Sequence, residues 1–323
     1  MKGGAAMYQS VRLFMEKLID YAGLFPPAGL PIEAAIRNYQ AYSLDQDSWM
    51  IGKFIIPVSR LQELVPYTPL FSQDHPLMLS VIGDRSGDAD ECKELLAESL
   101  EKIQSFGDQF QAVAQISVLD LPLPPIPLQA HLLEAIGRGT SKLGLQTFCE
   151  LTYVLNEEWE SRMIAALDEI AAYNETSGLN FGIKLRTGGI TAEAFPAANQ
   201  VALVLAGCRD RDLSLKFTAG LHHPFRMYRN EVKTKMHGFL NVFFAGLLAY
   251  SYKLEIQNIA EILEDELPES FKFSSDGLHW RHLSMTFSEI QAYRNEGLSS
   301  YGSCSFDEPR NEMREFQLLE QRS

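Results

Sequence analysis

Apolar and polar positions follow two alternating periods along this chain: short runs of period two, then longer runs of period 3.6. The short runs predict strands over Leu18–Phe25, Trp49–Pro57, Leu77–Gly83, Phe110–Val118, Thr147–Tyr153 and Gly182–Gly189, a seventh beginning at Leu213, and an eighth over Phe271–Ser275. The longer runs predict helices over Pro31–Tyr42, from Ser59 to Leu64, and over Asp88–Phe106, Leu128–Ile136, Glu157–Tyr173 and Ala192–Ala206. Val232–Tyr250 with Ile256–Glu264, and Phe287–Arg294, complete the series, and residues 7–17 form a preliminary helix. Eight strand–helix alternations with short connections predict an α/β chain folded as one (β/α)8 barrel domain with extra helices, its core at about 18–296. Residues 297–323, rich in Gly and Ser and then charged, read as a C-terminal tail. A doubly wound open sheet is the alternative, but no G-x-G-x-x-G follows the first strand.

Two of these strands share one theme. Gly182–Gly189 reads GIKLRTGG, and Leu213–Pro224 reads LSLKFTAGLHHP. Each carries a lysine, Lys184 or Lys216, four residues before a glycine, Gly188 or Gly220. Alternation puts Lys184 and Arg186 on one face, and Ser214, Lys216 and Thr218 on one face of the next strand. Barrel interiors are usually filled by Val, Ile and Leu, so inward cations need a reason. Lysines at matched register on adjacent strands stand about 5 Å apart. Their repulsion is expected to lower at least one pKa and leave a neutral amine, the form that attacks a carbonyl.

Composition narrows the partners. The net charge is −14, from 28 basic and 42 acidic residues, which argues against nucleic acid as a partner. With 46% apolar residues the chain can bury a large core. The four cysteines stand far apart without a C-x-x-C pair, as in a cytoplasmic protein with reduced thiols. No signal-peptide core follows the N-terminus, and Phe239–Tyr250 is too short to span a bilayer. That run is expected to be a packed helix or a subunit contact, the latter making the protein a homo-oligomer.

The candidate site lies at the C-terminal ends of the strands. Lys184, Lys216, Glu150 and His222 are the candidate catalytic groups; Arg186, Thr218, Gly188, Gly189, Lys53 and His223 are candidates for binding substrate. The surplus of inward cations over Glu150 favours a small anionic substrate, a carboxylate or a phosphate ester. No metal or other cofactor is needed for this reading. A second reading, a hydrolase or lyase using a divalent metal, draws on Glu150 with His222 or His223, joined by His279 or Asp276. Adjacent histidines in extended chain point apart, so one is expected to face the pocket. A third reading is a non-catalytic ligand-binding barrel. Asp20, Tyr21 and Asp84, near strand ends, are either pocket or turn residues. Tyr301–Pro309 is a candidate anion-binding nest.

The two lysine strands resemble the sixth and seventh strands of the deoxyribose-phosphate aldolase type of class I aldolase. The overall pattern also resembles an uncharacterised group of bacterial barrel proteins. The aldolase resemblance covers about forty residues and implies carbon–carbon lyase chemistry, with Lys184 forming a Schiff base and Lys216 lowering its pKa. The chain departs from that family in two places. Its acidic relay has no sure counterpart, Asp120 being placed just past the fourth strand. Its glycine-rich phosphate turn is replaced by Gly220-Leu221-His222-His223-Pro224.

Overall fold

Strands covered on both faces need apolar residues on both, and the short runs of this chain supply them. The computed structural model describes residues 2 to 320, residues 2 to 8 by backbone alone. Seven strands follow the expected order: β1 (Ile19–Tyr21), β2 (Ile51–Pro57), β3 (Leu77–Ile82), β4 (Ala114–Leu123), β5 (Gln146–Leu151), β6 (Gly182–Arg186) and β7 (Leu215–Thr218). A hairpin of β8 (Met227–Arg229) and β9 (Thr234–Met236) then departs from the pattern. So does an antiparallel sheet of β10 (Phe271–Phe273), β11 (Gly277–Trp280) and β12 (Leu283–Thr286). The last strand is β13 (Leu298–Ser303). The parallel strands close as β1-β13-β7-β6-β5-β4-β3-β2, an eight-stranded (β/α)8 barrel.

The eighth stave is therefore β13, and the expected eighth strand lies outside the barrel. In β10, Phe271 and Phe273 are buried against Phe244 while Lys272 is exposed, the one-sided pattern of a sheet covered on one face. The stretch from residue 298 reads as tail because Ser300 and Gly302 look like turn residues. In the barrel these small residues point inward, where Ser300 Oγ donates to Asp20 Oδ2 at 2.8 Å. Beyond β13 the chain forms a helix over Asp307–Glu315 whose Met313 is buried in the core.

The fourth strand is also displaced. The Ala89–Phe110 helix runs longer than expected, and β4 extends to Leu123, so Asp120 lies within the strand rather than after it. Against β3, Leu79 pairs with Ile116 and Ser80 with Val118, leaving Ser117 as a bulge residue. The bulge breaks the simple alternation and puts Val118, Asp120 and Pro122 on the face shared with Ser80. Pro122, part of the proline cluster that marks a loop in the sequence, pairs with Glu150 of β5.

The Phe239–Tyr252 helix is apolar all round because it is covered all round: Phe239 through Ala249 are buried within this chain. Phe239 stacks on Tyr301 of β13 at 5.3 Å, and Phe243 packs on Phe217 of β7. Its apolar surface is spent inside the barrel's outer layer, as the packed-helix reading expects. Among the described residues, no helix is long and apolar enough to cross a membrane.

Candidate functional site

Register brings the charges together. Glu150 of β5 pairs with Lys184 of β6, and Lys184 with Lys216 of β7. Asp20 of β1 and Asp120 of β4 face them across the barrel. The Lys216 ammonium lies 3.0 Å from Asp20 Oδ2, 3.1 Å from Asp120 Oδ2 and 3.0 Å from Ser80 Oγ. The Lys184 ammonium lies 3.2 Å from the same Asp120 oxygen and 3.1 Å from Glu150 Oε2. Asp120 thus stands between the two lysines and touches both. All five side chains are buried. Beneath them the Phe148 ring faces the Lys216 ammonium, 5.7 Å from its centroid.

Burying five ionisable groups is costly unless each is paired, and here each is. Burial works to raise the carboxyls of Asp20, Asp120 and Glu150, yet all three are held below the ordinary range by the cations beside them. Those cations are Lys216 and Lys53 for Asp20, Lys184 and Lys216 for Asp120, and Lys184 and Arg186 for Glu150. Burial works to depress the Lys216 ammonium, but Asp120 and Asp20 outweigh it and raise its pKa. The expected neutral amine from lysine–lysine repulsion is therefore overturned at Lys216, because a carboxylate stands between the pair.

Depth separates the lysines. A cavity of about 510 Å³ opens at the C-terminal ends of the strands, and Lys184 lines it together with Glu150, Arg186, Thr218 and His222. Lys216 is not among the lining residues. Arg85, after β3, and Arg186 both approach Glu150 Oε1, at 3.6 and 3.5 Å, and stay largely in solvent. His222 sits with its Nδ1 3.7 Å from Cys304 Sγ; burial first, then the neighbouring His223, push its pKa down to about 4. It is a neutral imidazole at neutral pH, and the Cys304 thiol is held protonated by burial.

The loops after β6 and β7 are tied together at the cavity rim. Thr187 Oγ1 donates to the Ala219 carbonyl at 2.6 Å, and Gly220 has a φ of +75°. A Cβ on Gly220 would come within 2.9 Å of Gly188 Cα. Gly220→Ala is accordingly expected to cost about 1–3 kcal/mol of stability, from backbone strain and the clash together. Urea unfolding of the variant checks this, and an unchanged midpoint would refute it.

Other expected site residues fall elsewhere. Gly189 lines the cavity, whereas Gly188 packs against Phe195 and Gly220. Lys53 does not line it; its backbone N–H donates to Asp20 Oδ1 at 2.7 Å, and its charge acts on Asp20 from there. His223 turns away and meets Glu312 of the last helix at 2.6 Å, with Glu308 nearby. Glu150 is thus held by three cations and is not brought to His223. His279 bonds Ser274 in the side sheet, and Asp276 lies in the same turn. Tyr21 packs outward on Tyr42 and Phe54, while Asp84 lines the cavity. The proposed nest at 301–309 is a strand end and a helix start whose first turn holds Asp307 and Glu308. Asp307 is already bound by Tyr42 and Arg310, so that helix terminus offers no anion site.

Sequence reasoning missed Ser80, Ser300 and Arg85, left Asp20 undecided, and placed Asp120 just past the fourth strand as no sure counterpart of the acidic relay. A signal exists for Asp20, Ser80 and Asp120: each is a single polar residue between apolar neighbours, as in Leu79-Ser80-Val81 and Leu119-Asp120-Leu121, whereas Ser300 follows Ser299 and carries no such mark. Arg85 has none, since it lies in a polar loop. Compared with models of protein families and with the sequences of curated proteins, the chain matches none.

Proposed function

We propose that this chain is a carbon–carbon lyase of the class I aldolase kind, acting on a small anionic carbonyl compound through an imine at Lys184. The single observation that carries the reading is the division of labour between the lysines. Lys184 reaches the cavity and shares Asp120 with Lys216, which lies beneath it and out of the cavity. The resemblance to the deoxyribose-phosphate aldolase type implies an acidic relay beside the Schiff-base lysine, and Asp120 stands in that position.

The chemistry balances with the groups present. An ammonium first surrenders a proton to Glu150 or Asp120, and the Lys184 amine attacks the substrate carbonyl. The carbonyl oxygen leaves as water, and the nitrogen keeps one proton as an iminium. In the cleavage direction a base takes the proton of the β-hydroxyl, the carbon–carbon bond breaks, and its electrons move into the iminium to give an enamine. An aldehyde departs, the enamine carbon is protonated, and water releases the second product. His222, neutral and on the cavity wall, and Glu150 are the groups placed to carry those protons. The four cysteines, all unpaired, support a reducing compartment such as the cytoplasm.

Borohydride reduction in the presence of small oxo acids, aldehydes and sugar phosphates tests the proposal. A covalent adduct is expected at Lys184, found by intact mass and peptide mapping, and none in Lys184→Met. Failure of every carbonyl compound to add mass would sink the imine mechanism, and an adduct confined to Lys216 would reverse the assignment.

A further inference from the structure

Glu150 is held in a way the lyase chemistry alone does not require. One of its oxygens faces the Lys184 ammonium at 3.1 Å, and the other faces two guanidinium groups, Arg186 at 3.5 Å and Arg85 at 3.6 Å. Neither arginine contact is a short charge-assisted bond, for which about 2.7–2.9 Å is usual. Both arginines line the cavity, and their side chains are 44% and 66% exposed. Two guanidinium groups therefore converge at the rim of the cavity on one carboxylate oxygen, with most of their N–H donors unspent.

From this we infer that the substrate class is a 2-oxo acid, whose carboxylate is gripped by Arg85 and Arg186 while its keto carbon meets Lys184. The inference rests on the lyase reading and adds the identity of the anion. The amine and the guanidinium groups stand on opposite oxygens of the same carboxylate, so they are separated by at most their two contacts plus the width of one carboxylate group. A substrate carbon bonded to Lys184 Nζ must therefore carry its anion within a few bonds. A 2-oxo acid does this, because its carboxylate is attached to the carbonyl carbon. In a sugar phosphate more bonds separate carbonyl from phosphorus, so its anion lies farther from the amine than a 2-oxo acid's carboxylate does. The planar two-oxygen carboxylate also suits the guanidinium fork. An uncharged aldehyde would leave both arginines without a partner other than Glu150. The cavity, at about 510 Å³, leaves room beyond a three- or four-carbon acid for the second reactant.

The same geometry couples recognition to chemistry. Arg186 is among the cations that hold the Glu150 carboxyl below its ordinary range, after burial and Lys184 are reckoned, with Arg85 adding to it. When a substrate carboxylate draws the guanidinium groups to itself, Glu150 loses that support and its proton affinity rises. The nearest proton is on Lys184, 3.1 Å away. Transfer of that proton to Glu150 leaves a neutral amine facing the keto carbon. Condensation then forms the carbon–nitrogen bond and expels the keto oxygen as water, and the proton on Glu150 returns to the imine nitrogen. The correct substrate thereby releases the nucleophile.

The test separates recognition from imine formation by using oxamate, an isostere of the simplest methyl 2-oxo acid whose amide cannot form an imine with lysine. Calorimetric titration of the full-length protein with oxamate is expected to show binding. Arg186→Gln and Arg85→Gln are each expected to weaken it roughly tenfold, the loss of one charge-assisted contact. Arg186→Lys and Arg85→Lys serve as second variants that keep the charge, and thermal unfolding checks that all four fold. Pyruvate with borohydride is run in parallel. Arg-dependent oxamate binding with pyruvate trapped at Lys184 supports both proposals. Arg-dependent binding with no trapping of any carbonyl compound keeps the carboxylate clamp and overturns the imine. An aldehyde or sugar phosphate trapped at Lys184 while oxamate fails to bind overturns the 2-oxo acid assignment and leaves the lyase reading standing. Binding that is equally tight in the glutamine variants also overturns it.

Discussion

Lys216→Met is expected to lower the unfolding free energy by about 3–5 kcal/mol, the usual cost of stranding buried charge by removing one partner. The Lys216 ammonium is the shared partner of Asp20 and Asp120, both of which are buried. Without it Asp20 keeps Ser300 and the Lys53 N–H, but no cation in contact. Lys184→Met is expected to cost less, about 1–3 kcal/mol. Lys216 still serves Asp120 in that variant, and Arg186 and Arg85 still serve Glu150. Urea unfolding of both variants at neutral pH makes the comparison, with an unchanged slope showing that the denatured state is the same. Equal losses, or a larger loss from Lys184→Met, would contradict the assignment of the deeper lysine to the fold and the shallower one to the chemistry. The pH window has a definite sign. The folded pKa of Lys216 is raised, so its contribution is complete below 10.5, its ordinary value, and is lost as pH rises through the folded value. The carboxyls are depressed, so theirs is complete above 3.8 for the aspartates and 4.5 for Glu150, and is lost as pH falls through the folded values.

The barrel was legible because strand and helix periods alternate cleanly from residue 31 to residue 218, and the matched lysine motifs located two adjacent staves. Its closure was not. The residues that line a barrel mouth must be small where substrate enters, and small residues read as turns; that is why β13, with Ser299, Ser300 and Gly302, passed for a tail. Asp120 was hidden by a different effect. A bulge at Ser117 changes which face each later residue takes, and local alternation carries no record of a bulge imposed by the neighbouring strand. The prolines after it compounded the error, since Pro122 sits in a strand that its residue type usually avoids. Lys184, Lys216, Glu150, Arg186, Thr218 and His222 did come together as their strands implied. The helix at residues 239–252 was left open between a packed helix and a subunit contact because all-round hydrophobicity is the mark of a buried helix whether the cover is the same chain or another. The identity of the cover is a tertiary fact.

Stability should also fall steeply between pH 6.5 and pH 4, well before the carboxylate network titrates. Two histidines carry this, His237 buried and His222 half-buried on the cavity wall. Burial holds the pKa of both His222 and His237 down at about 4, against an ordinary 6.5. His237 is fixed as a neutral ring. Its Nε2 donates to the Pro196 carbonyl at 2.8 Å, leaving Nδ1 to accept from Arg226 at 3.2 Å, so a second ring proton would face a guanidinium group. His222 meets Cys304 on the cavity wall, with His223 and Arg229 nearby to repel a positive charge. The unfolded chain takes up a proton at each histidine as pH falls through 6.5, and the folded chain resists until about 4. Stability is therefore lost on acidification, by about 3 kcal/mol per histidine at the acid end of the window. Together that is a large share of the 5–15 kcal/mol typical of a folded domain. Urea unfolding across the window measures it, and His222→Gln and His237→Gln should each remove about half of the slope. A flat profile, or a slope that both variants retain, would refute the claim. The same low value bears on the chemistry. An imidazole that stays neutral down to about pH 4 is a proton acceptor throughout the neutral range. The acid limb of imine trapping at Lys184 should then carry no inflection at the ordinary histidine value, and one appearing there would remove His222 from the proton-transfer path.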